Sequence, residues 1–206
     1  MTASTMTAPA PRFPRAAIVA VTGWLALALL AGGTGFLVRL PFPGPQLIFL
    51  ALFAASLAAT SVPSLRAWID ALPLRTLIGI NALRFIGITF LVLAARGQIA
   101  PVFAARAGWG DIATAVLALI LVAAGEPRTP LQRGLTHAWN VFGSLDLAVA
   151  VGTATAVTLQ GSTPGVAPVL YLPLVLVPTF FVPIFLANHV IIFRRLRAAA
   201  RMTHGA

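Results

Sequence analysis

Apolar positions along this chain come in long unbroken runs, not at the spacing of an amphipathic helix or the alternation of a half-buried strand. The runs cover Ala16 to about Val38, Gln46 to Val62, Thr76 to Ala95, Trp109 to Gly125, Ala138 to Gln160 and Ala167 to Phe193. A helix needs about 20 apolar residues to cross a hydrocarbon core about 30 Å thick. Four runs reach or exceed that length, and the second and fourth, at 17 residues each, are the shortest. Helix breakers fill the gaps: Pro41, Pro43, Gly44 and Pro45; Pro63; Gly97 and Pro101; Pro127 and Pro130; and Gly161 to Pro168. The pattern predicts an all-α integral membrane bundle of six transmembrane helices.

Three segments follow. Residues 1–15, small, polar and Pro-rich, are expected to be a disordered cytoplasmic tail. Residues 16–196 form the six-helix transmembrane domain, and 197–206 a basic cytoplasmic tail. The first run is too long for the apolar region of a signal peptide.

Composition agrees: 59% of residues are hydrophobic and 9% charged, against roughly 25% charged in a soluble domain. Mean hydropathy is +0.97. The net charge of +10 comes without the dense basic surface that nucleic acid requires, so nucleic acid is not an expected partner. Topology accounts for the charge instead. With both termini inside, Arg12, Arg15, Arg66, Arg75, Arg128, Arg133, Arg194, Arg195, Arg197 and Arg201 are cytoplasmic, and only Arg39, Arg96 and Arg106 external. That N-in/C-in bias fits an even number of spans.

The chain has no cysteine, which excludes disulfides, thiolate metal sites and cysteine nucleophiles. It also has no lysine, which excludes Schiff-base chemistry. No metal site is expected. A membrane-embedded hydrolase is the least favoured reading: there is no GxSxG, no HExxH, and no pair of membrane aspartates at evidently matched depth.

Ionisable groups in a span cost at least about 2.5 kcal/mol on insertion scales, so those present carry information. Arg84 in the third run and Asp146 in the fifth are each about eight residues from the cytoplasmic start, roughly 12 Å deep at 1.5 Å per residue. Of the four acids, Asp70 and Glu126 fall in cytoplasmic loops, leaving Asp146 as the natural partner of Arg84. Asn81, Asn140, Asn188 and His189 lie at that depth or nearer the cytoplasm, with His137 at the interface, forming a polar layer displaced toward the cytoplasm. Asn188 and His189 are adjacent, so at most one is expected to face a common cavity. Each amide has the plainer alternative of an interhelical hydrogen bond.

Asp111 opens the fourth run and is expected near the outer surface, capping its helix or meeting Arg96 or Arg106. There Gly-Trp-Gly-Asp would place Trp109 and Asp111 on a turn at the outer mouth, as a gate or ligand contact. His137 and His189 permit a haem b reading, although no cofactor is predicted outright. Pro173, Pro178 and Pro183 punctuate the sixth run and mark a bent helix that could move.

The stretches 83–112, 138–151 and 173–191 resemble a group of small polytopic bacterial membrane proteins that share AGWGD, WNxxGxxD and a proline-punctuated last helix. Trp109, Gly110, Asp111, Trp139, Asn140, Gly143 and Asp146 are the matching positions. The resemblance implies a bacterial inner membrane but no activity, substrate or cofactor.

Three functions are therefore expected in order. The first is a transporter or channel-like protein for a small solute or proton, with Arg84 holding an anionic group or controlling Asp146. The second is a non-catalytic assembly subunit, and the third a haem- or quinone-binding redox protein. The expected partners are the lipid bilayer, the solute or proton, and a second copy of the chain, since six short spans enclose little volume.

Overall fold

The computed structural model describes residues 13–204, so positions 1–12 of the expected N-terminal tail and residues 205–206 lie outside the described residues. Among the described residues the chain is all-helical. Helices α1 (Arg15–Gly33), α2 (Phe36–Arg39), α3 (Gly44–Ala59), α4 (Pro63–Ala71), α5 (Leu74–Gly79), α6 (Gly87–Ala95), α7 (Pro101–Ala123), α8 (Pro130–Leu159) and α9 (Val182–His204) follow in order. A 3₁₀ stretch, Ile80–Ile86, joins α5 to α6, and one π turn, Val177–Phe181, leads into α9.

Five segments are long and apolar enough to cross a membrane: α1, Leu74–Ala95, α7, α8 and Val177–Arg201. The bent pair α3 and α4, meeting at 79°, is the sixth candidate. The second sequence run is thus a 16-residue helix that ends at Ala59 and turns sharply. Large apolar side chains such as Leu27, Ile120 and Leu145 point outward, the arrangement that lipid favours. In hydrocarbon the backbone has no water to bond, so continuous helices satisfy it internally.

Three boundaries differ from the sequence reading. α7 begins eight residues before Trp109, because Pro101 occupies its first turn, where a missing N–H costs nothing. The last span winds continuously only from Val177, after a 3₁₀ turn at Ala167–Leu170. α9 also continues through His204, so most of the expected basic tail is helix.

Interactions at the helix ends fix which segments share an end of the bundle. At one end, Glu126 accepts the Leu74 N–H (2.8 Å) and the Arg75 N–H (3.1 Å), capping α5. There Phe13 packs edge-on against Trp68 at 4.6 Å, and the Arg195 guanidinium donates to the Leu72 carbonyl. Thr129 and Gln132 close a reciprocal capping box ahead of α8. At the other end the Ala100 N–H donates to the Gly165 carbonyl at 2.9 Å. Phe13 and the C-terminal part of α9 therefore lie at the same end.

The interior has three tiers. One apolar core gathers Phe90, Phe103, Leu147, Val169, Val177 and Phe185; a second, toward the Glu126 end, gathers Leu77, Ile78, Ala118, Trp139 and Ile192. Between them lie the buried polar residues Asn81, Arg84, Asp111, Thr114, Asn140, Asn188 and His189. Lipid tails are as apolar as leucine, so close van der Waals approach and hydrogen bonds must hold this bundle together. Gly87 and Gly108 provide such an approach: a Cβ on Gly87 would stand 2.7 Å from the Gly108 carbonyl oxygen, so α6 and α7 touch backbone to backbone.

Prolines shape the start of the last span. Pro183 has no N–H for the Thr179 carbonyl one turn back. That carbonyl accepts the Trp24 indole N–H at 2.7 Å, tying α1 to the bend.

Candidate functional site

Arg84 lies in the 3₁₀ stretch, halfway along the Leu74–Ala95 span, and is fully buried. Its guanidinium has four protein acceptors around it. Nε donates to Asp111 Oδ1 at 2.7 Å, and Nη2 donates to Asp146 Oδ2. Nη1 donates to the Gly143 carbonyl at 3.0 Å and approaches His189 Nε2 at 3.4 Å. Both carboxylates thus sit side by side on the Nε/Nη2 edge of one cation, while the Nη1 end faces α8 and α9.

The hydrogen bonds fix the state of His189. A guanidinium can only donate, so His189 Nε2 is an acceptor and the ring proton is on Nδ1. Nδ1 lies 2.7 Å from Asn140 Oδ1, and the Asn140 amide donates to the His189 backbone carbonyl at 3.0 Å. The imidazole is therefore neutral in this arrangement. With both acids ionised, the charge is +1 for Arg84 and −2 for Asp111 and Asp146, a net of −1 in the middle of the bundle.

Glycines create the space for this cluster. A Cβ on Gly110 would overlap the Asp146 carboxylate, and one on Gly143 would lie 2.7 Å from His189 Cε1. Seven of the nine fixed positions of the two motifs have a physical task. In AGWGD, Gly108 brings α7 against Gly87, Gly110 admits Asp146, and Asp111 binds Arg84. In WNxxGxxD, the Trp139 indole donates to the Thr114 carbonyl at 3.0 Å and Asn140 holds His189. Gly143 and Asp146 supply acceptors to Arg84.

The structure brings Arg84, Asp146, Asp111, Asn140 and His189 together. Asn81 and Asn188 are buried beside them, and both donate to the Leu77 carbonyl, at 3.3 and 2.8 Å. Asn188 and His189 are both interior but diverge: His189 meets the cluster, whereas Asn188 meets α5.

Asp111 is displaced from its expected place. It is ten residues into α7, pairs with Arg84 rather than Arg96 or Arg106, and shares its depth with Asp146. The expectation that no two membrane aspartates match in depth is corrected by the same fact. The polar layer is central, not displaced toward one face, because Arg84 and Asp111 both fall at mid-helix.

Trp109 lies on a helix rather than a turn, and at 63% exposure it points away from the cluster. His137 is exposed, with its ring against Phe193 at 5.3 Å, whereas both ring nitrogens of His189 have protein partners. Among the described residues, no group of three His, Cys, Asp or Glu is placed to hold a metal ion. Asn81 Oδ1, Asn188 Oδ1 and Thr114 Oγ1 are buried without partners among the described residues. They continue the polar layer away from Arg84. Thr114 and the glycines were not identified from sequence as site residues; Gly108, Gly110 and Gly143 stand in the two motifs, whereas Thr114 lies outside both and carries no such signal.

On the far side of Asp111, two cavities adjoin. The smaller, about 80 Å³, is lined by Asp111 and by apolar residues including Phe49, Phe90, Phe103 and Leu147. The larger, about 350 Å³, lies toward the Gly165 end and includes Gln46.

Fold and site together define a helical membrane protein with a charged cluster at mid-span. Residues 41–197, most of the chain, match the family described as Domain of unknown function (DUF8737), and the chain belongs to that family. No curated protein and no solved structure matches the chain.

Proposed function

We propose that this chain is a proton-coupled membrane transporter of the bacterial cytoplasmic membrane in which Asp111 and Asp146, held on one edge of Arg84, form the coupling element. The observation that carries this reading is the two-to-one ratio of carboxylates to guanidinium in a buried site. An unpaired charge in a protein interior is costly. One further positive charge, a proton or a small cation, makes the cluster neutral, and its arrival and departure would alter the grip of Arg84 on α7 and α8.

The reading also takes α3 and α4 as one broken span, giving six crossings with both termini cytoplasmic. The arginine bias and the shared end of Phe13 and Arg195 support that topology. The π turn and Trp24-capped bend at the start of the last span supply an element able to move, since such local departures from α geometry often occur at functional sites.

Proton flux into proteoliposomes, driven by an imposed membrane potential and read with an internal pH dye, tests the proposal. Wild type should acidify the lumen, and Asp111→Asn and Asp146→Asn, shown to be inserted and folded, should reduce the rate at least tenfold. Unchanged flux in both variants would refute it.

The complete burial of Arg84 favours a second reading, an assembly subunit in which the cluster only fastens helices. In that case Arg84→Leu/Asp111→Leu/Asp146→Leu would retain the cellular role.

A further inference from the structure

Asp111 is more than nine-tenths buried, and its Oδ1 accepts from Arg84. Among the described residues it is the only charged one lining the smaller cavity. Arg84 and Asp146 do not line that space. A molecule entering it therefore meets a carboxylate, not the guanidinium, which is the opposite of a site for an anion.

The walls are apolar. Phe49, Phe90, Phe103, Leu147 and Val182 surround the smaller cavity. Phe49, Val151, Ala154, Val169 and Pro178 line both cavities, so the two adjoin along a shared wall. In the larger one, Gln46 presents a buried Oε1 without a partner among the described residues, a second acceptor. Together the two spaces fall in the range that small-molecule sites occupy. An acceptor at each end, phenyl rings beside the carboxylate and a cluster short of one positive charge select a cationic head on an apolar body.

From this we infer that the paired cavities are a binding site for lipophilic amines, with the ammonium at Asp111 and the apolar body in the larger cavity. The inference names the solute class for the transport reading and rests on it for that role. An ammonium and a proton would compete for the same negative charge. The charged and titratable groups facing Asp111 are Arg84 from the 3₁₀ stretch, Asp146 from α8 and, through Arg84, His189 from α9.

The test is equilibrium binding of radiolabelled 4-phenylbutylamine to the whole protein in nanodiscs, with empty nanodiscs as blank. 4-Phenylbutyrate and 4-phenylbutanol serve as size-matched competitors. The amine should bind saturably, with the acid and the alcohol at least tenfold weaker. Binding should weaken as pH is lowered, and Asp111→Asn should weaken it at least tenfold. Ala154→Phe fills the shared wall without touching the charged cluster, and should abolish binding even if Asp111→Asn fails to fold. Equal binding of alcohol and amine, or amine binding undiminished in Ala154→Phe, would overturn the inference and leave a groove for lipid tails. Because no gradient is involved, amine binding without flux refutes the transport reading alone, and flux without amine binding refutes this site alone.

Discussion

Replacing Gly110 by alanine tests the geometry of the cluster through one methyl group. In a helix interior, alanine is favoured over glycine by up to about 1 kcal/mol. Gly152 shows the effect without interference, since a Cβ there meets nothing within 4 Å. A Cβ at Gly110 overlaps the Asp146 carboxylate, which must swing off Arg84 to make room. Breaking a buried ion pair costs about 3–5 kcal/mol, so after the helix gain the net loss should be about 2–4 kcal/mol. Gly152→Ala should be neutral or stabilising by up to about 1 kcal/mol. Reversible unfolding in mixed detergent micelles, followed by far-UV circular dichroism, reads both. If Gly110→Ala is as stable as Gly152→Ala, Asp146 does not occupy the space beside Gly110 and the cluster as described is wrong.

Further expectations concern the supports around the site. Trp24→Phe removes the indole donor from the Thr179 carbonyl freed by Pro183, and should cost about 1 kcal/mol in the same unfolding assay. Glu126→Ala uncaps α5 and should cost about 0.5–2 kcal/mol, whereas Asp70→Ala, which breaks only an exposed pair with Arg66, should stay within about 0.5 kcal/mol. Trp109→Ala should leave proton flux in proteoliposomes unchanged, because the indole faces away from the cluster; a loss of flux would return Trp109 to the site.

The sequence made Arg84 and Asp146 conspicuous for a simple physical reason: a charge within an apolar run is expensive and must be compensated. Their contact follows directly. Asp111 was harder to place because Gly97 to Ala107, interrupted by Arg106 and Pro101, reads as a loop. Pro101 instead starts the helix, and moving its start by eight residues carries Asp111 from the margin to the middle. Trp109 shows the same error in rotation, since its neighbours on either side, Gly108 and Gly110, face helices while the indole points outward. The glycines were recognisable only as motif letters, because their role is the volume they leave to Asp146 and His189, which depends on a neighbouring helix. The 3₁₀ winding that carries Arg84 has no distinct local composition; the break between α3 and α4 is marked by Pro63, which starts α4, but its 79° angle is not.

The two aspartates on one edge of Arg84 should take up a single positive charge between them. Infrared spectroscopy of the carboxyl C=O stretch, recorded in lipid against pH with amine absent, tests it most directly. Wild type should show one protonated carboxylic acid band that titrates with pH and disappears in both Asp111→Asn and Asp146→Asn. A band absent at every pH where the protein is folded, or one that survives both substitutions, would contradict it.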